Sequence, residues 1–179
     1  GGGRTIVFLD PYIEPMAAQG GVPSVQRSDL AELLPNWGVS LREDMFVTDF
    51  ANSMVVGVGQ SRNPVRHIGL LSMNPQDSAS EEGADIIIHG LESVNWSSAG
   101  ILDKVEGSDI QVSPLILTSD QAQPRKAELL TQLADPQTLM DEFAPTGERY
   151  TLAAKISGKA KTAYPDGLRF TETVESETR

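Results

Sequence analysis

The stretch Arg4-Thr5-Ile6-Val7-Phe8-Leu9-Asp10 (RTIVFLD, residues 4–10) is a nearly unbroken apolar run closed by Pro11. A strand with one wet face alternates apolar and polar residues, whereas a strand covered on both faces reads as a continuous run. Strands of that kind belong to sheets with helices on both sides, so the run predicts an α/β protein with a mostly parallel sheet. Residues 11 to 27 contain Pro11, Pro15, Gly20, Gly21 and Pro23 and read as a loop longer than the usual connection. Loops at the carboxyl ends of such strands are where open α/β sheets bind ligands.

Working outward, Ser28 or Asp29 can cap a helix in which Leu30, Leu33, Leu34 and Trp37 form one apolar face, placing Trp37 in the core. Gly38 supplies the stop, and Pro35 distorts the last turn. Strands are predicted at 44–49, 54–58, 67–73, 85–89 and 110–118, separated by turn-rich segments at 61–64 and 74–83. Residues 91–102 are read as a short helix. Past Ser119 a polar helix over 124–133 and a further helical turn over 135–142 are expected. Residues 150–161 read as a late edge strand, whose Lys155, Lys159 and Lys161 discourage edge-to-edge pairing. The expected organisation is an α/β core domain over 1–120, a helix-and-strand extension of the same domain over 121–167, and a flexible tail over 168–179.

The 179 residues include 39% hydrophobic and 22% charged residues, ordinary proportions for a globular chain. A net charge of −11 repels phosphate backbones and anionic headgroups, which argues against nucleic acid as a partner. The absence of cysteine excludes disulfides, thiolate zinc sites and a Cys nucleophile. No segment approaches the roughly 18 apolar residues that a membrane-crossing helix needs. The chain starts on Gly1-Gly2-Gly3 without an initiator Met, so a fragment of a longer protein is expected.

Among residues able to carry chemistry, Asp10 stands at the carboxyl end of the first expected strand and could line a cleft with Tyr12 and Glu14. The plainer reading is that Asp10-Pro11 only ends the strand. Asp49 and Asn52 have the same status after a later strand. Asp44 and Asp49, five apart on a strand, point to opposite faces and make no carboxylate dyad. His67 and His89 lack the spacing of metal ligands and read as hydrogen-bonded strand-end residues. Ser97, His89 and Asp103 lack the Gly-x-Ser-x-Gly elbow that would expose a nucleophile. Gly57-Val58-Gly59 lacks the third glycine and helix start of a dinucleotide site, and there is no Walker A motif. Asn95-Trp96 could stack a sugar or contact a partner, against the plainer reading of Trp96 as a core anchor. No catalytic residue, metal ligand or cofactor is predicted.

Four ordered segments also carry a resemblance. GGGRTIVFLDPYIEP, SDLAELLPNWGVSLREDMFVTD, VSPLILTSDQA and RYTLAAKISGKAKTAYPDG resemble the ABC transporter auxiliary domain of the gliding-motility-associated, GldG-like family, over roughly residues 1 to 167. The resemblance implies a flavodoxin-like, class I amidotransferase-like sheet with flanking helices, here without its first strand, followed by a C-terminal β extension. It implies an accessory subunit anchored in the inner membrane outside this segment, an extracytoplasmic (periplasmic) domain, and partnership with the membrane and ATPase subunits of the transporter. A non-catalytic role in binding a small molecule or an envelope protein follows as the expectation. The alternatives are a hydrolase or an amidotransferase-derived enzyme using carboxylates, or a purely structural scaffold. A sheet missing its first strand would expose a parallel edge, and a homodimer through that edge is expected.

Overall fold

The structure, a computed structural model, describes residues 3–11, 30–58, 63–79, 85–131 and 136–167. Within them lie nine strands: β1 (Val39–Leu41), β2 (Met45–Asp49), β3 (Ser53–Val58), β4 (Asn63–Met73), β5 (Val94–Ser97), β6 (Leu102–Lys104), β7 (Gln111–Leu117), β8 (Ala122–Lys126) and β9 (Thr151–Ser157). Helix is confined to a 3-10 turn at Leu34–Trp37 and two single turns, α1 (Glu128–Thr131) and α2 (Thr138–Asp141). Every strand pair among these residues is antiparallel: β1 with β6, β2 with β8, β7 with β9, and β3-β4-β5 as a three-stranded sheet.

The expected parallel α/β, flavodoxin-like sheet is therefore corrected to a mostly antiparallel β architecture. Its founding strand is the point of failure, because residues 4–10 join no ladder among the described residues. Ile6 and Phe8 are 82% and 89% exposed. A continuous apolar run measures how much a segment could gain by burial, and says nothing about which strand is there to cover it. Nor is there, among the described residues, the parallel edge on which a homodimer was expected.

The core is built across two strands buried on both faces. In β2, Val47 joins a large cluster with Leu71, Met73, Ile101 and Ile116, while its neighbour Phe46 joins a second cluster with Ile68 and Leu139. In β4, Ile68 packs into the second cluster and Leu71 and Met73 into the first. Both strands thus divide the two clusters as septa, as the pleat's period of two requires. Phe50 and Phe143 close the second cluster with ring centroids 6.2 Å apart.

Several elements differ in type from the sequence reading. Pro124 lies within β8 opposite Val47 and not at a helix start; among the described residues β8 pairs with β2 alone, and an edge strand tolerates a residue without an N–H. The expected helix at 91–102 is replaced by β5 and the start of β6, with Trp96 facing Leu71 across the ladder. Residues 85–89, expected as a strand, form turns. The helix expected from Leu30 is reduced to turns and the 3-10 segment, and Trp37 is only half-buried. Its stop is where the sequence places it: Gly38 adopts φ 79° and its N–H reaches back to the carbonyl of Pro35. The caps proposed at Ser28 and Asp29 lie outside the described residues.

Candidate functional site

Asp49 ends β2 fully buried, with its carboxylate filled from two directions. Asn52 donates from its side chain at 2.7 Å and from its backbone N–H at 3.3 Å. Ser119, just after β7, donates from its hydroxyl at 2.6 Å and its backbone N–H at 2.8 Å. A carboxylate has about four lone-pair sites, and four donors saturate them. Asp49 and Asn52, both foreseen as binding residues, are brought together as a staple between the β2–β3 turn and the end of β7. Ser119 is the partner that sequence reasoning missed. Its signal is Ser-Asp immediately after a strand, which is turn chemistry.

The remaining candidates are dispersed. Asp10 is exposed and engaged in contacts of its own, whereas Asp49 has its acceptor positions taken, so the two do not present a paired carboxylate. Tyr12 and Glu14 lie outside the described residues. Asn95 is exposed on β5 and accepts a hydrogen bond from Ser93 at 3.3 Å. Trp96 turns the other way and packs half-buried against the first cluster, with its Nε1 unpartnered among the described residues. His67 is half-buried within β4, where desolvation lowers its pKa from the ordinary 6.5. Its Nδ1 accepts the backbone N–H of Gly69 at 3.2 Å, which fixes the proton of the neutral ring on Nε2. Among the described residues no group of three or more His, Asp or Glu could hold a metal ion.

The surface feature with a built geometry is the turn at 85–91. Ile86 is 85% exposed, Ile87 56% and Leu91 45%, while Ile88 between them is buried in the first cluster. Asp85 shapes the turn: its carboxylate accepts the backbone N–H of Ile87 at 3.0 Å, and its carbonyl accepts the N–H of Ile88 at 3.0 Å. Gly90 closes it at φ 83°, a conformation that side chains disfavour. Lys155 of β9 donates to the same carboxylate at 2.7 Å. That ammonium first, and then the Ile87 N–H, hold the Asp85 carboxyl below its ordinary value. Gln76 donates to the carbonyl of Ile88 at 3.0 Å from the other side. The result is an apolar knuckle pinned by three attachments.

Two grooves also lie among the described residues. One, of about 500 Å³, is lined by Met45, Pro124, Lys126, Leu129 and Glu142, with Arg125 turned to the carbonyl of Leu139 and to Glu142. The other, of about 230 Å³, runs between Asn36, Gly107 and Lys159. Neither gathers a set of groups poised for bond chemistry. No curated protein and no solved structure matches the chain. The family model described as "ABC-type uncharacterized transport system" matches residues 1–178. With all but the last residue covered, the chain belongs to this family of auxiliary domains of ABC-type transport systems.

Proposed function

We propose that the chain is a non-catalytic, extracytoplasmic interaction domain of the transport system's accessory subunit, of the gliding-motility-associated type. In this reading it docks an envelope protein or the transporter's membrane subunits through the knuckle at 85–91. The observation that carries the reading is the contrast between polar and apolar groups. The buried Asp49 carboxylate is consumed by Asn52 and Ser119, while three large aliphatic side chains are held out in water on a fixed turn. Exposed apolar patches of this kind mark contact surfaces. A turn already ordered by Asp85, Lys155 and Gln76 loses little entropy on binding. The extracytoplasmic placement is supported by the resemblance of the four quoted segments, and a protease-accessibility assay on spheroplasts tests it.

The docking is tested by purifying the accessory subunit with its transporter subunits, with and without Ile86→Lys/Ile87→Lys. Both side chains are exposed, so the double variant should shift stability by only about 0.5 kcal/mol or less per site. Expected is loss of co-purification with an unchanged melting temperature. Retention of the complex by the double variant rejects the knuckle as the docking surface.

A further inference from the structure

Residues 4–10 form a second apolar surface, remote in sequence from the knuckle and built differently. Pro11 is buried: a Cβ added at Gly100 would stand 3.2 Å from its ring and 2.7 Å from Leu41. The run ahead of it joins no ladder among the described residues, with Ile6, Val7 and Phe8 exposed by 82%, 40% and 89%. Thr5 to Leu9 carries no charge, no proline and no glycine, and is rich in β-branched and aromatic residues. Native chains usually blunt an unpaired strand with an internal charge or a proline. The charges here stand only at the two ends and are opposite in sign, Arg4 and Asp10.

We infer that residues 4–10 pair with the same residues of a second copy, as an antiparallel two-stranded ribbon centred on Val7. In that register Arg4 faces Asp10, Thr5 faces Leu9 and Ile6 faces Phe8, each pair occurring twice by the two-fold symmetry. Aromatic and β-branched residues opposite one another, and opposite charges at the ends, are favourable cross-strand pairs. Competing registers are worse. Setting Ile6 opposite Ile6 puts Arg4 against Phe8, and setting Phe8 opposite Phe8 puts Asp10 against Ile6. A parallel in-register pair places Arg4 beside Arg4 and Asp10 beside Asp10. Asp10 keeps contacts within its own chain, and a carboxylate has room for a further donor. The opposite signs of the two end charges therefore select this register and this orientation.

The test is the mass of the full chain in solution, by sedimentation equilibrium from about 1 µM to about 1 mM. A monomer–dimer equilibrium is expected, with Phe8→Lys weakening it by roughly tenfold or more. Arg4→Asp should weaken it too, and Arg4→Asp/Asp10→Arg should restore it. Register is read by cross-linking, since the chain has no native cysteine. Residues directly opposite in an antiparallel pair have Cα atoms about 4.5–5.5 Å apart, within disulfide reach. Val7→Cys should therefore give an oxidised dimer, while Ile6→Cys, diagonal to its own copy, should not. A monomer throughout the range, a dimer indifferent to Phe8→Lys, or equal cross-linking at both positions overturns the inference.

Discussion

Asp49 makes the most demanding polar arrangement among the described residues, because a fully buried carboxylate depends on every donor around it. Asp49→Ala removes the acceptor and strands the Asn52 amide and the Ser119 hydroxyl, so a loss of about 3 kcal/mol is expected. Asp49→Asn keeps the volume but turns an NH₂ toward groups that are themselves donors, and should recover only part of that loss. Urea unfolding checks both, the midpoint moving while the slope stays constant. His67 supplies a different signature. Its folded pKa is depressed, so the unfolded chain binds the proton more readily. The corresponding stability is complete above 6.5 and is lost as pH falls from there through the folded value. Protonation of Nδ1 also ends its acceptance of the Gly69 N–H. His67→Gln should therefore flatten the fall in melting temperature between about pH 7.5 and pH 5.5. An identical fall in both proteins would mean that His67 does not contribute.

Among the elements, β2, β3, β4, β7 and β9 stand close to where apolar runs in the sequence place strands, because β-branched and aromatic residues fit a pleated, half-buried surface. The pairing was not legible. Val47 and Pro124 meet across a separation no periodicity encodes, and the two-faced burial of Phe46 and Val47 mimics a strand of a parallel sheet. The sequence Asp85-Ile86-Ile87-Ile88 misleads in the opposite way. Three consecutive isoleucines suggest a strand, yet Asp85 caps the chain into a turn and Gly90 closes it, a signal outweighed by hydrophobicity. Of the candidate site, strand-end placement singled out Asp49 and Asn52 as ligand-binding residues, while their bonding to each other and to Ser119 was not legible, and the knuckle was hidden because exposure cannot be read from residue type. Lys155→Met removes one pin of the knuckle from the surface. Hydrogen exchange at 86–91 should speed several-fold while the melting temperature hardly moves, as expected for local opening. At Gly38 the demand is on the backbone. Gly38→Ala forces a side chain into φ 79° and brings its Cβ within 2.8 Å of Ser108 Oγ, so a loss above about 1 kcal/mol is expected in thermal unfolding.

At the scale of the whole molecule, the four separate small sheets among the described residues raise the question of what makes the body cooperate, since an isolated two-stranded ribbon is barely stable in water. The septa answer it. Phe46 and Val47 are adjacent in β2 and fully buried in different clusters, so neither cluster can loosen without exposing the strand that forms the wall of the other. β4 repeats the arrangement with Ile68 and Leu71. Phe46→Ala should remove about 3–5 kcal/mol from the second cluster, a large share of an ordinary domain's stability. Trp96 packs against the first cluster and serves as a remote reporter. In a Trp37→Phe background, Phe46→Ala should move the Trp96 fluorescence transition to lower urea by the same amount as the far-UV circular dichroism transition. If the Trp96 transition instead stays where it is while the circular dichroism splits into two steps, the clusters melt independently and the septa do not couple them.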